Sequence, residues 1–224
     1  MSDEKLLAAL ARYDSPTLSN AIESFDVRNR DEGYTRQEIL CMFPDLPAVV
    51  GYAATLTVRS HEPPLNPLEP SVLWRHVRSI EGPRILVAQD LDDPEGVGAM
   101  WGEVQATIFT ALGCLAIATD GVVRDLPEVR AMGMQLYATG TTVSHAYAHF
   151  ESAGHGVSIG GLAVRPGDLL HADRHGVLLI PYEIAERLPA AADKVIATEQ
   201  KLIGWIRSKD FDPDQLDEMR KVGH

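Results

Sequence analysis

The chain has 224 residues, 45% of them hydrophobic, and a formal net charge of −12. That length and apolar content suffice for one well-buried core, while the acidic balance excludes a nucleic-acid groove as the main function, because phosphate binding needs a concentrated basic face. No apolar run approaches the ~20 residues needed to span a bilayer, and Met1-Ser2-Asp3-Glu4-Lys5 is not a signal peptide; a soluble, cytoplasmic protein with no membrane partner is expected.

Residues 4–24 read as an amphipathic helix pair broken near Asp14, where Ser15-Pro16 suits the start of the second helix. Residues 49–59 read as a strand, and the proline-rich piece His61–Pro67 as a loop, either the rim of a pocket or a plain connection. Ile85-Leu86-Val87-Ala88, closed by Gln89-Asp90, and Leu115–Thr119, closed by Asp120-Gly121, read as buried strands. Between them, Ala99–Leu112 carries Val104, Ile108, Ala111 and Leu112 at helical spacing, with Gly113 placed to stop it. A strand, a helix and a second strand in about 35 residues form a crossover unit with parallel strands. Ligands bind outside the carboxyl ends of such strands, so loops 91–98 and 121–126 are expected on one edge. Residues 157–181 read as strands joined by the turn Arg165-Pro166-Gly167-Asp168, residues 182 to about 208 as helix, and residues 209–224 as a polar surface tail. With no linker, repeat or low-complexity segment, residues 1–224 read as a single domain.

The expected edge gathers chemistry. A helix starting near Ala99 points free N–H groups at it and favours an anion there. Glu103 lies in the first turn, and Arg124 and Asp125 follow the second strand. Arg124 can grip a carboxylate that the amides around Met100, Trp101, Gly102 and Glu103 also hold. Asp125 and Glu103, directly or through water, can then hold a hard divalent cation such as Mg2+ or Mn2+. The same residues also admit a structural reading, with Glu103 facing the helix dipole and Arg124-Asp125 forming a turn with a weak surface ion pair.

Other chemistry-bearing residues read as structural. His145 and His149 have a spacing that binds zinc on a helix, but Thr141-Thr142-Val143-Ser144 before them is β-rich and no third ligand is evident. His155, His171 and His175 lie in or beside strands and glycine turns, where hydrogen-bonded structural roles are expected. Cys41 and Cys114 have no partner at metal-site spacing, and Cys114 is expected in the core. Trp74 and Trp101 read as core aromatics before pocket walls. Between Tyr182 and Ser208, Val195, Ile196, Leu202, Ile203 and Ile206 form an apolar stripe with Glu199 inside it. A buried carboxylate there needs a partner; at the edge of the stripe it reaches water.

The spacing of Glu103, residues 104–123, Arg124 and Asp125 resembles the hallmark of the RraA-like family, an acidic residue followed after twenty positions by Arg-Asp. Gly98 and Gly102, the run Thr119-Asp120-Gly121-Val122-Val123-Arg124-Asp125, the run Gly160–Asp168 and the run Asp173–Pro181 extend the resemblance across about residues 14–205. Asn20 and His175 depart from it, since the family often has Asp at both places. The resemblance implies an α/β fold, a swivelling β/β/α domain of the phosphohistidine-domain type, assembled as a homotrimer or homohexamer. It implies the activity of class II 4-hydroxy-4-methyl-2-oxoglutarate aldolases, with Glu199 as the glutamate that a neighbouring subunit's C-terminal helix brings to the site.

Cleavage of a 4-hydroxy-2-oxo acid leaves the enolate of pyruvate, whose charge a lysine Schiff base or a metal can take. The five lysines, Lys5, Lys194, Lys201, Lys209 and Lys221, lie near the ends of the chain, which favours the metal. Arg124 would polarise the keto oxygen, and a water oriented by Glu103 or Glu199 would take the 4-hydroxyl proton. Oxaloacetate decarboxylation passes through the same enolate and is an expected side activity. The family also includes non-catalytic regulators that bind an RNA-degrading endoribonuclease, a role an acidic surface suits. A menaquinone methyltransferase is disfavoured, because no glycine-rich strand-to-helix loop for a nucleoside cofactor is present.

Overall fold

A computed structural model describes residues 3–221. In chain order its main elements are α1 (Asp3–Leu10), α2 (Ser15–Glu23), β1 (Leu40–Cys41), β2 (Val49–Arg59), α3 (Pro70–Ser79), β3 (Arg84–Asp90), α4 (Glu103–Ala111), β4 (Cys114–Thr119), β5 (Val122–Val123), α5 (Leu126–Ala131), β6 (Gln135–Ala138), β7 (Gly140–Thr141), β8 (His149–Ala153), β9 (Val157–Ile159), β10 (Leu162–Val164), β11 (Leu169–Asp173), β12 (Gly176–Ile180), α6 (Leu188–Ile206) and α7 (Leu216–Lys221). The break between the first two helices falls where expected: Asp14 caps α2 by accepting the amide of Thr17, and Pro16 occupies the first turn, where no intrahelical N–H is needed.

The principal sheet runs β1-β6-β4-β3-β2-β11-β12, with β8 also paired to β2. The expected crossover is present. β3 and β4 are adjacent and parallel, with Val87 opposite Ala118, and β2 lies parallel on the other side of β3. A parallel strand covered on both faces must be apolar at every position, and Ile85, Leu86, Val87 and Ala88 are all fully buried.

Three layers result. Leu73 and Val77 of α3, Phe109 of α4 and Val129 of α5 cover Leu56, Leu86 and Ile117 on one face of the sheet. The antiparallel β9–β10 hairpin covers the other, setting Val157, Ile159, Leu162 and Val164 against Ile85, Val87, Ala116 and Ala118. This is the β/β/α layering expected. The helices α1, α2 and α6 close a further cluster over β11 and β12, with Leu10, Leu18 and Leu188 against Leu178. His171 is fully buried at this seam, its Nδ1 2.9 Å from the Ser15 hydroxyl and its Nε2 3.0 Å from the Tyr13 carbonyl; burial pushes its pKa down, and the structural role expected of it holds. Cys114 is buried, as expected. No helix among the described residues is long and apolar enough to cross a membrane.

One expectation needs correction. The helix assigned to Ala99–Leu112 begins at Glu103, because Trp101 pairs in parallel with Val123 as an isolated bridge and Gly102 after it is extended, at φ −144° and ψ −166°. The buried face of α4 is therefore Ala106 and Phe109, while Val104 is 71% exposed. In the expected polar surface tail, mostly exposed, a 3-10 turn at Pro213–Gln215 leads into α7, and the Phe211 ring meets that of Trp205 edge to face with centroids 5.2 Å apart. Residues 222–224 of the expected tail lie outside the described residues.

Candidate active site

The carboxyl ends of β3 and β4 carry the loops that build the site, and acidic side chains tie those loops to the backbone. Asp120, at the end of β4, accepts the amide of Asp90 at 2.6 Å. Asp90 accepts the amides of Asp92 and Gly96. Asp92 in turn accepts the Ser60 amide and hydroxyl and the amide of His61. Loops 91–98 and 121–126 are thereby held together on one edge, as the crossover unit requires.

Burial pushes the Asp120 carboxyl up to about 7, with the charges of Glu95 and Asp90 adding to the effect. In the unfolded chain it ionises near the ordinary value of about 3.9. Between these values the folded chain keeps a proton that the unfolded chain has lost, so this group's contribution to stability falls as pH rises through about 7. Asp120→Asn keeps an acceptor for the Asp90 amide. It should gain stability relative to wild type between about pH 4 and pH 8, by no more than ~4 kcal/mol. Urea unfolding midpoints across that range check the sign.

Beyond this brace the two loops interlock. The amide of Arg124 donates to the Trp101 carbonyl at 2.9 Å. Asp125 adopts the left-handed region at φ 54° and ψ 41°, which Asp tolerates better than most residues. It does not cap its own helix α5 with its side chain; its Oδ2 accepts the amide of Glu103 at 3.0 Å, capping α4 instead. The crossing leaves no room for a side chain at position 102, since a Cβ on Gly102 would lie 2.4 Å from Asp125 Oδ2 and 3.0 Å from Arg124 Cγ.

Against this crossing lies a cavity of about 260 Å3, whose lining includes Met100, Gly102, Val104, Gln105, Arg124 and His145. Arg124 Nε and Gln105 Oε1 are enclosed without a hydrogen-bond partner, and the nearest carboxylate oxygen to Arg124 Nε, Asp125 Oδ2, is 3.7 Å away. Unpaired buried polar atoms are costly and rare, and these two, one donor and one acceptor, belong to residues that line the cavity. A larger open groove of about 600 Å3, lined by Gln89, Ser158, Arg165 and Asp168 among others, includes none of the enclosed unpaired atoms found among the described residues.

Of the residues the sequence singled out, Met100, Gly102 and Arg124 line the cavity, while Glu103 and Asp125 flank it across the loop crossing. Trp101 does not enter it: its ring is 1% exposed and packs in the core, and its backbone carbonyl is what holds Arg124. The amide of Glu103 is not free for a ligand either, because Asp125 takes it. The next amides in the first turn, those of Val104 and Gln105, have no intrahelical acceptor. Glu199 does not lie in a buried stripe. It is exposed and accepts from Asn20 Nδ2 at 3.4 Å, because only Leu188 and Ala192 of α6 are fully buried while Ile196 and Ile206 are exposed. His61–Pro67 is exposed and does not line the cavity; the segment 145–148 takes that place. The sequence reading considered His145 only as half of a helical zinc pair, whereas it lies in a turn before β8, which begins at His149.

The donor set bears on metal choice. Among the described residues no group of three or more His, Cys, Asp and Glu side chains is arranged to hold a metal, which does not fit zinc. One or two carboxylates completed by water and substrate oxygens suit Mg2+ or Mn2+. With Oδ2 engaged, Asp125 has Oδ1 to offer such an ion, and Glu103 stands beside it.

Comparison with known proteins adds to this geometry. Residues 15–179 match the family described as RraA-like, Aldolase/RraA. A Halalkalibacterium halodurans protein provisionally named 4-hydroxy-4-methyl-2-oxoglutarate aldolase is 29% identical over 107 residues, covering 46% of this chain and 49% of that protein; the match thus spans about half the length of that relative. An uncharacterized protein from Pseudomonas syringae pv. tomato superposes with a TM-score of 0.74 at 22% identity, over 98% of this chain and 94% of that one. RraAS2 of Streptomyces coelicolor, described as an unusual member of the RNase ES inhibitor RraA protein family, superposes with a TM-score of 0.68 at 24% identity, over 92% of this chain and 98% of that one. At these identities the two structures establish the shared fold.

Proposed function

The chain belongs to the RraA-like family, Aldolase/RraA, and from that premise we propose that it is a divalent-metal-dependent aldolase. Its substrate is a 4-hydroxy-2-oxo acid such as 4-hydroxy-4-methyl-2-oxoglutarate, cleaved to pyruvate and a second oxo acid, with oxaloacetate decarboxylation as a side activity. The observation that carries this reading is the enclosed, unpaired Nε of Arg124 at a cavity of about 260 Å3. An anionic oxygen is what such a donor lacks.

The chain's own groups divide the work. The Val104 and Gln105 amides, at the positive end of α4, hold the substrate carboxylate. Arg124 hydrogen-bonds the 2-keto oxygen and stabilises the negative charge that grows there as the enolate forms. Asp125, with Glu103 through water, would hold Mg2+ or Mn2+, which when bound supplies Lewis-acid polarisation of the oxo acid. Among the described residues no lysine lines the cavity, which leaves a Schiff-base route without a candidate there. Glu199, exposed on the single chain, would be available to a neighbouring subunit's site in a homotrimer or homohexamer.

A second reading, a protein-binding regulator of an RNA-degrading endoribonuclease, draws on the net charge of −12 and leaves the Arg124 donor without a task. The test is pyruvate release from 4-hydroxy-4-methyl-2-oxoglutarate and from oxaloacetate, with Mg2+ or Mn2+ and again after chelation. Release that disappears with the chelator and returns with added metal is expected. No release from either compound under any condition would sink the enzyme reading and favour the regulator.

A further inference from the structure

Cleavage needs a group that takes the proton of the 4-hydroxyl, and the cavity lining narrows the choice. The Arg124 guanidinium only donates, Gln105 is a neutral amide, and Ala99, Met100, Gly102, Val104 and Ala148 have no titratable side chain. Among the lining residues, His145 carries the side chain able to accept a proton and return it.

We propose that His145 is the general base and acid of carbon–carbon cleavage, an inference that rests on the aldolase reading. Its Nδ1 lies 2.7 Å from the Ala146 carbonyl oxygen. A carbonyl only accepts, so Nδ1 carries the hydrogen of the neutral ring and Nε2 keeps the lone pair. With Nδ1 committed, Nε2 is the nitrogen open to a ligand.

The turn that carries this ring is built tightly. Ala146 sits at φ 46°, a left-handed conformation that residues with a Cβ rarely adopt. Surrounding contacts hold it there. The Ala146 amide donates to Ser144 Oγ, the Ser144 carbonyl accepts from Ala99, the Ser60 carbonyl accepts from Tyr147, and the His145 carbonyl accepts from Ala148. Gly98 permits the docking, since a Cβ there would lie 2.5 Å from the His145 carbonyl oxygen. Strain retained at a turn that borders a ligand cavity, and braced from both adjoining loops, fits a group whose position matters to chemistry.

The step balances as follows. His145 Nε2 takes the proton of the 4-hydroxyl, the C4–O bond becomes the carbonyl of the second oxo acid, and the C3–C4 bond breaks. Its electron pair passes into the enolate of pyruvate, with the charge on the C2 oxygen against Arg124. The protonated ring then gives its Nε2 proton to C3, forming the methyl group of pyruvate and returning the ring to its neutral state. Oxaloacetate has no 4-hydroxyl, so its decarboxylation omits the first of these transfers.

The experiment compares the two reactions in wild type and His145→Gln, with His145→Ala assayed with and without added imidazole. General-base loss costs about 10²–10⁴-fold, so cleavage should fall by about that factor, and the ratio of cleavage to decarboxylation should drop by at least about tenfold. Imidazole should restore part of the cleavage in His145→Ala. Equal losses in both reactions, or cleavage within about threefold of wild type, would overturn the base role. An active wild type with an unchanged ratio in His145→Gln would leave the aldolase reading standing; a wild type that fails to cleave the hydroxy acid would overturn both. Thermal melts of the variants, whose changed side chain is exposed, separate catalytic loss from unfolding.

Discussion

Arg124→Ala should lower pyruvate release from both 4-hydroxy-4-methyl-2-oxoglutarate and oxaloacetate by about 10²–10³-fold or more while leaving the fold unchanged. Both reactions place negative charge on the same C2 oxygen, and removing one preorganised donor to such an oxygen costs about that factor. The fold should survive because the guanidinium contributes little to it. Its Nε makes no hydrogen bond, its ion pair with Asp125 is 3.7 Å long between side chains that are 35% and 40% exposed, and exposed pairs of this kind contribute about 0–1 kcal/mol. The structural contribution of the residue, the amide donated to the Trp101 carbonyl, survives in alanine. Steady-state rates beside a thermal melt decide the matter. Turnover within about tenfold of wild type would remove Arg124 from the chemistry.

Trp101→Ala should destabilise the protein by about 3–5 kcal/mol, the range for deleting a large aromatic from a packed core. Trp101 is 1% exposed. Its ring stands 5.7 Å from Phe109 and 6.3 Å from Phe150, centroid to centroid, and Trp74 meets both of those rings edge to face. This cluster joins α3, α4 and β8, so the void would lie where three elements meet. Trp101→Phe should recover most of the loss, since the indole N–H has no hydrogen-bond partner to forfeit. Urea unfolding of the two variants measures both numbers; a loss under about 1 kcal/mol in the alanine variant would mean that the cluster relaxes to fill the void.

The two effects meet in one short segment. The Trp101 ring anchors the segment before α4, and the Trp101 carbonyl receives the amide of Arg124, so core packing on one side holds the backbone of Arg124 on the other. The Trp101 ring is the core aromatic that the sequence suggested, and its carbonyl holds the backbone of Arg124 from behind the cavity.

What the sequence determined is what local pattern encodes. Ile85–Ala88 and Leu115–Thr119 are continuous apolar runs because strands covered on both faces have no solvent side. Their spacing around one helix made them parallel neighbours, and that put Glu103, Arg124 and Asp125 at one edge. Asp14 and Pro16 marked the start of α2 through capping chemistry that acts within one turn. The tertiary structure decided what depends on partners distant along the chain. Helical spacing placed the start of α4 at Ala99, but a bridge to Val123 holds Trp101 extended and moves the start to Glu103. Periodicity put Glu199 in a buried stripe, but the packing of α6 fully buries only Leu188 and Ala192, which precede that stripe. His145 reaches the cavity because Gly98, Ala99 and Ser60 dock its turn there, and such docking follows from strand order and from backbone groups that carry no side-chain signature. Residue type and spacing report burial and turn chemistry along the chain, whereas a site is completed by contacts between loops, which exist only once the sheet has brought them together.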